Sequence, residues 1–158
     1  MSKVYSNNQE LSTKLLEGVT TLAENVGATL GPKGRNVILQ KKGERPVITK
    51  DGVTVAQFVS LDDPVANLGA QVIKQAAQVT ADEAGDGTTT STILSHEIFR
   101  QATAHLTAGI SPVEIKRGMD KAVAALTTEL EKVSRPIETL DDIRHIATIS
   151  ANGDRHLG

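Results

Sequence analysis

Gly85-Asp86-Gly87-Thr88-Thr89-Thr90 is the stretch on which the reading of this chain turns. A long amphipathic segment runs into these residues and a second helical segment leaves them, so the local pattern is helix, tight glycine turn, helix. The two glycines lack Cβ atoms, which lets the backbone take positive φ and lets a ligand approach closely. The threonines then place hydroxyls and backbone N–H groups at a new helix N-terminus, where unpaired donors and the helix dipole favour an anion. Asp86 is an odd neighbour for a phosphate unless a hard cation such as Mg²⁺ lies between the two charges. Turn, anion seat and metal ligand together suggest a magnesium nucleotide. A plain Asp-Gly turn followed by a threonine cap is the alternative, and these residues alone do not displace it.

The chain around this turn has 158 residues, the length of one domain with room for a core. Its 39% hydrophobic and 23% charged residues fit an ordinary globular protein. Aromatics are confined to Tyr5, Phe58 and Phe99. The core is therefore expected to be aliphatic, with alanines between larger residues pointing to closely packed helices. A net charge of −2 argues against nucleic acid, which needs a basic footprint. No apolar run approaches the length of a membrane span. The first eight residues lack the apolar core of a signal peptide and there is no cysteine, so a cytoplasmic protein is the expectation.

In chain order, Lys3-Val4-Tyr5-Ser6 reads as a short edge strand, and Asn7 with Glu10 as a capping box. Leu11, Leu15, Val19, Leu22 and Val26 make one helical face, ended by Gly31-Pro32. Thr29-Leu30-Gly31-Pro32-Lys33-Gly34-Arg35 is a basic glycine-rich loop that fails the P-loop pattern, because no Ser or Thr follows Lys33 and the glycine spacing is wrong. Val37-Ile38-Leu39 and Val47-Ile48-Thr49 read as a hairpin running into a second Asp-Gly turn at Asp51-Gly52. Val53 to Val59 is ambiguous between strand and short helix. Asp62-Asp63-Pro64 opens a helix whose buried stripe is expected at Val65, Leu68, Val72, Ala76 and Val79, widened by Ala70, Ile73 and Ala77. After the central turn, Leu94, Ile98, Ala102 and Leu106 recur at intervals of four. Ser111-Pro112-Val113-Glu114 starts another long helix, with a face from Ile115 to Val133, and Arg135-Pro136 stops it. A last short helix is expected from about Asp141 to Ser150.

Other chemistries fail on spacing. His96-Glu97 begins like a zinc-protease motif, but Arg100 stands where the second histidine belongs. His105, His145 and His156 are scattered, and Asp62, Asp63, Asp141 and Asp142 read as helix-start acids.

Three loops now stand in order: Thr29 to Asn36, Thr49-Lys50-Asp51-Gly52-Val53, and Gly85 to Thr90. Together they closely resemble the nucleotide-site motifs of the group I chaperonins, the GroEL-type protein-folding machines. Lys116-Arg117-Gly118-Met119-Asp120-Lys121-Ala122 and Thr148-Ile149-Ser150-Ala151-Asn152 are also similar to that family. The resemblance spans essentially the whole chain. It implies a mainly α, multihelical equatorial-type domain with a small β hairpin and the short N-terminal edge strand. Residues 1–135 would be the N-terminal part of the equatorial ATP-binding domain. Residues 136–158 would begin the intermediate domain, with a hinge near Pro136.

The resemblance further implies an ATPase. Thr29, Leu30, Gly31, Pro32 and Lys50 would line the nucleotide pocket. Asp86 would hold Mg²⁺, and Gly87, Thr88, Thr89 and Thr90 would cradle the phosphates of ATP. Thr29, Lys50 and Thr89 match positions associated with K⁺, and Asp51 matches an acid near the attacking water, a catalytic role. Partners would be identical subunits in a double seven-membered ring, a co-chaperonin lid and non-native polypeptides, with no nucleic acid and no membrane. The hairpin tip Lys41 to Pro46 lacks the aromatic-glycine pair common in the family, and Gln57-Phe58-Val59-Ser60 replaces a more charged pattern. A family subunit continues through a substrate-binding apical domain, back through the intermediate domain with the aspartate on which hydrolysis mainly depends, and into the second half of the equatorial domain. The second reading is a short chaperonin-like module that binds nucleotide or joins a ring without folding substrates. A free-standing phosphotransfer enzyme is the third, and no acceptor site supports it.

Overall fold

Helices α1 (Asn8–Gly27) and α3 (Pro64–Ala84) cross almost backbone to backbone, because each brings a glycine to the crossing. A Cβ on Gly18 would lie 1.7 Å from the Ala66 carbonyl oxygen, and one on Gly69 would lie 2.3 Å from that of Leu15. In the computed structural model, which describes residues 8–41, 43–151 and 153–157, this pair forms the centre of a unit ending at Ala108. The edge strand expected at Lys3–Ser6 and the cap expected at Asn7 lie outside the described residues. Between the two helices the chain makes an antiparallel hairpin, β1 (Val37–Leu39) and β2 (Val47–Thr49), with Val37 opposite Thr49 and Leu39 opposite Val47. The ambiguous segment after it is helical: α2 (Gly52–Phe58). Helix α4 (Thr88–Thr107) then packs on both α1 and α3. A second compact unit begins at Gly109 and contains α5 (Pro112–Val133) and α6 (Leu140–Ser150). The hinge expected near Pro136 falls within this second unit. The described residues are thus mainly helical with one small two-stranded sheet, and no helix among them is long and apolar enough to cross a membrane.

Local chemistry explains most helix ends. Asp63 caps α3 by accepting the Val65 and Ala66 amides, and Pro64 occupies the first turn, where its missing N–H costs nothing. Ser111 caps α5 in the same way, while Glu114 turns away to pair with Arg117 instead of closing a capping box. The reciprocal box is found at α6, between Thr139 and Asp142. Helix α1 ends earlier than Gly31-Pro32 suggests. It stops at Gly27, and tighter bonds from Thr29 to Val26 and from Leu30 to Gly27 carry the chain to Gly31.

The core of the first unit is aliphatic: Val19, Leu22, Val26, Leu39, Val55, Ala56, Ala70 and Ile73, with Phe58 and Phe99 at its margin. Two expected faces are rotated. On α3 the buried residues are Val65, Ala66, Gly69, Ala70, Ile73 and Ala77, while Leu68, Val72 and Val79 are 51%, 51% and 53% exposed. On α4 the buried group is Thr92, and Leu94, Ile98 and Leu106 face outward. The reason is steric. A close crossing needs small side chains, so Ala and Gly take the inside and the bulkier aliphatics are turned away from it. Helix α5 buries none of its residues, and Val123, Leu126, Leu130 and Val133 are all exposed. His96 serves packing: its Nε2 lies 3.1 Å from the Thr20 hydroxyl, tying α4 to α1.

The crossing is braced at its edge by Lys14 on α1, whose ammonium lies 2.8 Å from Asp63 Oδ2 and 3.5 Å from Glu10. The Lys14 hydrogen bond, with the Ala66 amide behind it, holds the Asp63 carboxyl below its ordinary value of 3.8. A depressed acid stabilises the fold above its unfolded pKa and loses that contribution as pH falls through the folded one. Asp63→Asn is therefore expected to flatten part of the fall in thermal midpoint between about pH 5 and about pH 2. Glu97, held at about 2 by Arg100 and Gln101, and Asp142, lowered by Thr139, supply the remainder. An acid limb identical to that of the parent chain would remove the bridge from this account. The glycine crossing gives a second test. Gly18→Ala is expected to cost about 1–3 kcal/mol or more in urea unfolding. Gly118→Ala, in open space on α5, is expected to gain about 0.5–1 kcal/mol.

Candidate functional site

The end of α1, the start of α2 and the start of α4 meet around Gly52. A Cβ on Gly52 would lie 2.1 Å from Thr89 Oγ1 and 3.3 Å from Val26 Cγ1. The neighbouring Gly27 faces Ile93 of α4 at 3.6 Å by the same measure. The Asp51-Gly52 loop and the start of α4, far apart in sequence, are thereby brought together beside the last turn of α1, beyond which Thr29 to Pro32 follow.

The central turn depends on two left-handed residues. Gly85 closes α3 at φ 73°, donating its N–H to the Ala81 carbonyl, and Gly87 opens α4 at φ 86°. Between them Asp86 is exposed, and its Oδ1 accepts the Gly87 amide at 2.6 Å. Its Oδ2 accepts no hydrogen bond among the described residues. No side chain caps α4, so the amides of Thr88, Thr89 and Thr90 emerge from the first turn without one. Thr89 is therefore a first-turn residue rather than a cap. Behind the turn, the Thr80 and Ser91 hydroxyls lie 2.9 Å apart, and both are within reach of the Ala76 carbonyl, at 3.0 and 3.5 Å. Thr92 is fully buried and donates to the Thr88 carbonyl at 2.9 Å, so the floor of the turn is satisfied while its mouth is open.

Asp51 is the N-cap of α2. Its Oδ1 accepts the Val53 amide at 3.3 Å, and its Oδ2 accepts both the amide and the hydroxyl of Thr54, at 2.8 and 2.5 Å. Its own N–H donates to Thr49 Oγ1 at 2.9 Å, which ties it to the end of β2. A residue expected to act on water thus also holds a helix end. Lys50 is exposed, and its ammonium has no ion pair among the described residues. Leu30 and Pro32 are exposed as well, Gly31 is left-handed at φ 73°, and the Thr29 hydroxyl donates to the Val26 carbonyl at 2.7 Å. The far end of α2 is held from α3: Lys74 Nζ donates to the Val59 carbonyl and, at 3.4 Å, to that of Gln57. Burial pushes this amine below its ordinary value of 10.5.

Two of these contributors escape a reading of the sequence. The spacing of Asp51 and Thr54, a cap and the third residue of its helix, is the signal that could have found Thr54. Lys74 carries no such signal, because its partners are main-chain carbonyls.

The donor set suits a magnesium nucleotide. Open space lies over Gly31 and Gly85, and over Gly87 the nearest atom to a Cβ would be Thr80 Cγ2 at 3.8 Å. No cluster of three or more His, Cys, Asp or Glu capable of holding a metal occurs among the described residues. A single carboxylate fits the habit of Mg²⁺, which takes one or two acids and draws its other ligands from phosphate and water. Residues 22–157 match the family model described as the TCP-1/cpn60 chaperonin family.

The Gly52–Thr89 contact makes a measurable demand. Gly52→Ala is expected to cost about 1–3 kcal/mol and to shift the amide resonances of Thr88 to Thr90. Because the clash is with one side chain, Thr89→Ala in the same chain should recover part of the loss, a coupling visible in a double-mutant cycle. Strict additivity would show that the two loops do not touch.

Proposed function

The chain belongs to the TCP-1/cpn60 chaperonin family, and on that footing we propose that it is the ATP-binding equatorial segment of a group I subunit. The observation that carries this reading is the contact between the Asp51-Gly52 loop and the uncapped start of α4, across Gly52 and Thr89. It sets an acid beside an anion seat, with Lys50 next in sequence and Asp86 in the turn.

Each residue has a task in that reading. The amides of Thr88, Thr89 and Thr90 and the dipole of α4 hold the terminal phosphates. Gly85, Gly87 and Gly31 keep the approach clear of side chains, with Leu30 and Pro32 at the nucleotide's edge. The Asp86 Oδ2 atom is a hard oxygen donor for Mg²⁺. The Thr29 and Thr89 hydroxyls and the carbonyl of Lys50 offer oxygen to K⁺; the Lys50 ammonium, being cationic, serves the phosphates instead. Magnesium ATP, when bound, supplies the phosphoanhydride and the divalent charge that neutralises it. Phosphoryl transfer asks little covalent chemistry of a protein, and positioning with charge stabilisation does most of the work. Asp51 orients the attacking water. Pro136 would mark the hinge into the intermediate domain. In the complete assembly, identical subunits form a double seven-membered ring, closed by a co-chaperonin, in the cytoplasm. There the ATP cycle drives refolding of non-native polypeptides.

Calorimetry of Asp86→Ala tests the reading. Magnesium-dependent ATP binding by the full subunit should fall at least tenfold while helical content is unchanged. Retained affinity would overturn the metal assignment. Phosphate release by the 158-residue chain alone should be negligible, and steady turnover would favour a self-sufficient enzyme instead.

A further inference from the structure

We infer that Thr54 is a positioning residue for Asp51: its hydroxyl fixes the Oδ2 atom and leaves Oδ1 as the oxygen that orients the attacking water. This deepens the proposed ATPase reading and rests on it. A carboxylate offers about four acceptor sites over its two oxygens. Oδ2 takes two donors, the Thr54 amide at 2.8 Å and the Thr54 hydroxyl at 2.5 Å, which fills it. Oδ1 takes only the Val53 amide, at a long 3.3 Å. The spare lone pair of the carboxylate is therefore on Oδ1.

An ordinary N-cap needs only an amide acceptor, and the Thr54 N–H already supplies that bond. The hydroxyl bond is additional, and its length puts it among the short, charge-assisted kind. Threonine in a helix commonly turns its hydroxyl back to a carbonyl of the preceding turn. Thr13, Thr21, Thr80, Thr92, Thr103, Thr107, Thr127 and Thr128 all do so here. Thr54, the third residue of α2, has no preceding helical turn and gives its hydroxyl to the Asp51 carboxylate instead. With the Asp51 main chain held by Thr49 and Oδ2 held twice by one residue, exchanging the two carboxylate oxygens would break both Thr54 bonds. Thr54 is exposed, so losing its hydroxyl leaves the core intact. For a group whose task is to aim a water, a fixed plane matters more in the transition state than in substrate binding.

The experiment is steady-state ATP hydrolysis by the full subunit carrying Thr54→Val, Thr54→Ser or Asp51→Ala. Thr54→Val keeps the shape and the amide cap; it is expected to lower kcat about tenfold with KM within about twofold. Thr54→Ser restores the hydroxyl and should return kcat to within about twofold of the parent. A parental kcat in Thr54→Val beside a slow Asp51→Ala would overturn the positioning role and leave the site reading standing. An unchanged kcat in Asp51→Ala would remove both. A loss in Thr54→Val that Thr54→Ser fails to rescue, or one appearing in KM alone, would mark a merely structural role and also overturn the inference.

Discussion

Two helices approach to backbone contact where a glycine on one faces the main chain of the other, and the α1–α3 crossing, with Gly18 against Ala66 and Gly69 against Leu15, is the constraint on which the first unit depends. It turns the Ala66, Gly69 and Ala70 face of α3 inward. It also sets where α1 ends relative to its neighbours. Val26 and Gly27 reach Gly52 and Ile93 because the helix carrying them is clamped near its middle. The ion pair from Lys14 to Asp63 decorates this crossing and, being solvent-exposed, contributes little beside the packing.

The candidate site inherits its order from that clamp while remaining open itself. Its floor is satisfied by hydroxyls, with Thr92 buried and Thr80 beside Ser91. Its mouth presents uncapped amides and a carboxylate that, among the described residues, uses one of its two oxygens. Such a division is what an anion-binding turn requires: the supporting groups are spoken for, and the groups facing the ligand are not. Little stability is given up locally, since a glycine N-cap such as Gly87 forgoes only about a few tenths of a kcal/mol relative to Ser, Thr, Asn or Asp.

Much of this was legible in the sequence where the cause was local. Asp63-Pro64 and Ser111-Pro112 announce helix starts because cap and proline act on their own first turn. The order of the three glycine loops along the chain carried the family. The inward face of α3 was legible in part, at Val65, Ala70, Ile73 and Ala77, and that of α4 was not. Leu68, Val72, Leu94 and Ile98 have helical spacing and large side chains, yet the crossing selects the small residues beside them. The contact of Gly52 with Thr89 was hidden by the 36 residues between them, although each residue stood out alone. The capping role of Asp51 was not legible, although an Asp two residues before Val53 and three before Thr54 is the signal for it.

The lysine from α3 at the far end of α2 bears on what keeps the short helix in place. A helix of seven residues is too short to persist in water by itself. Helix α2 leaves its last carbonyls to Lys74, and that amine belongs to a segment made later in the chain. The short helix therefore holds its place only against its neighbours, and the orientation of Asp51 at its start rests on packing and hydrogen bonds supplied by residues far along the chain.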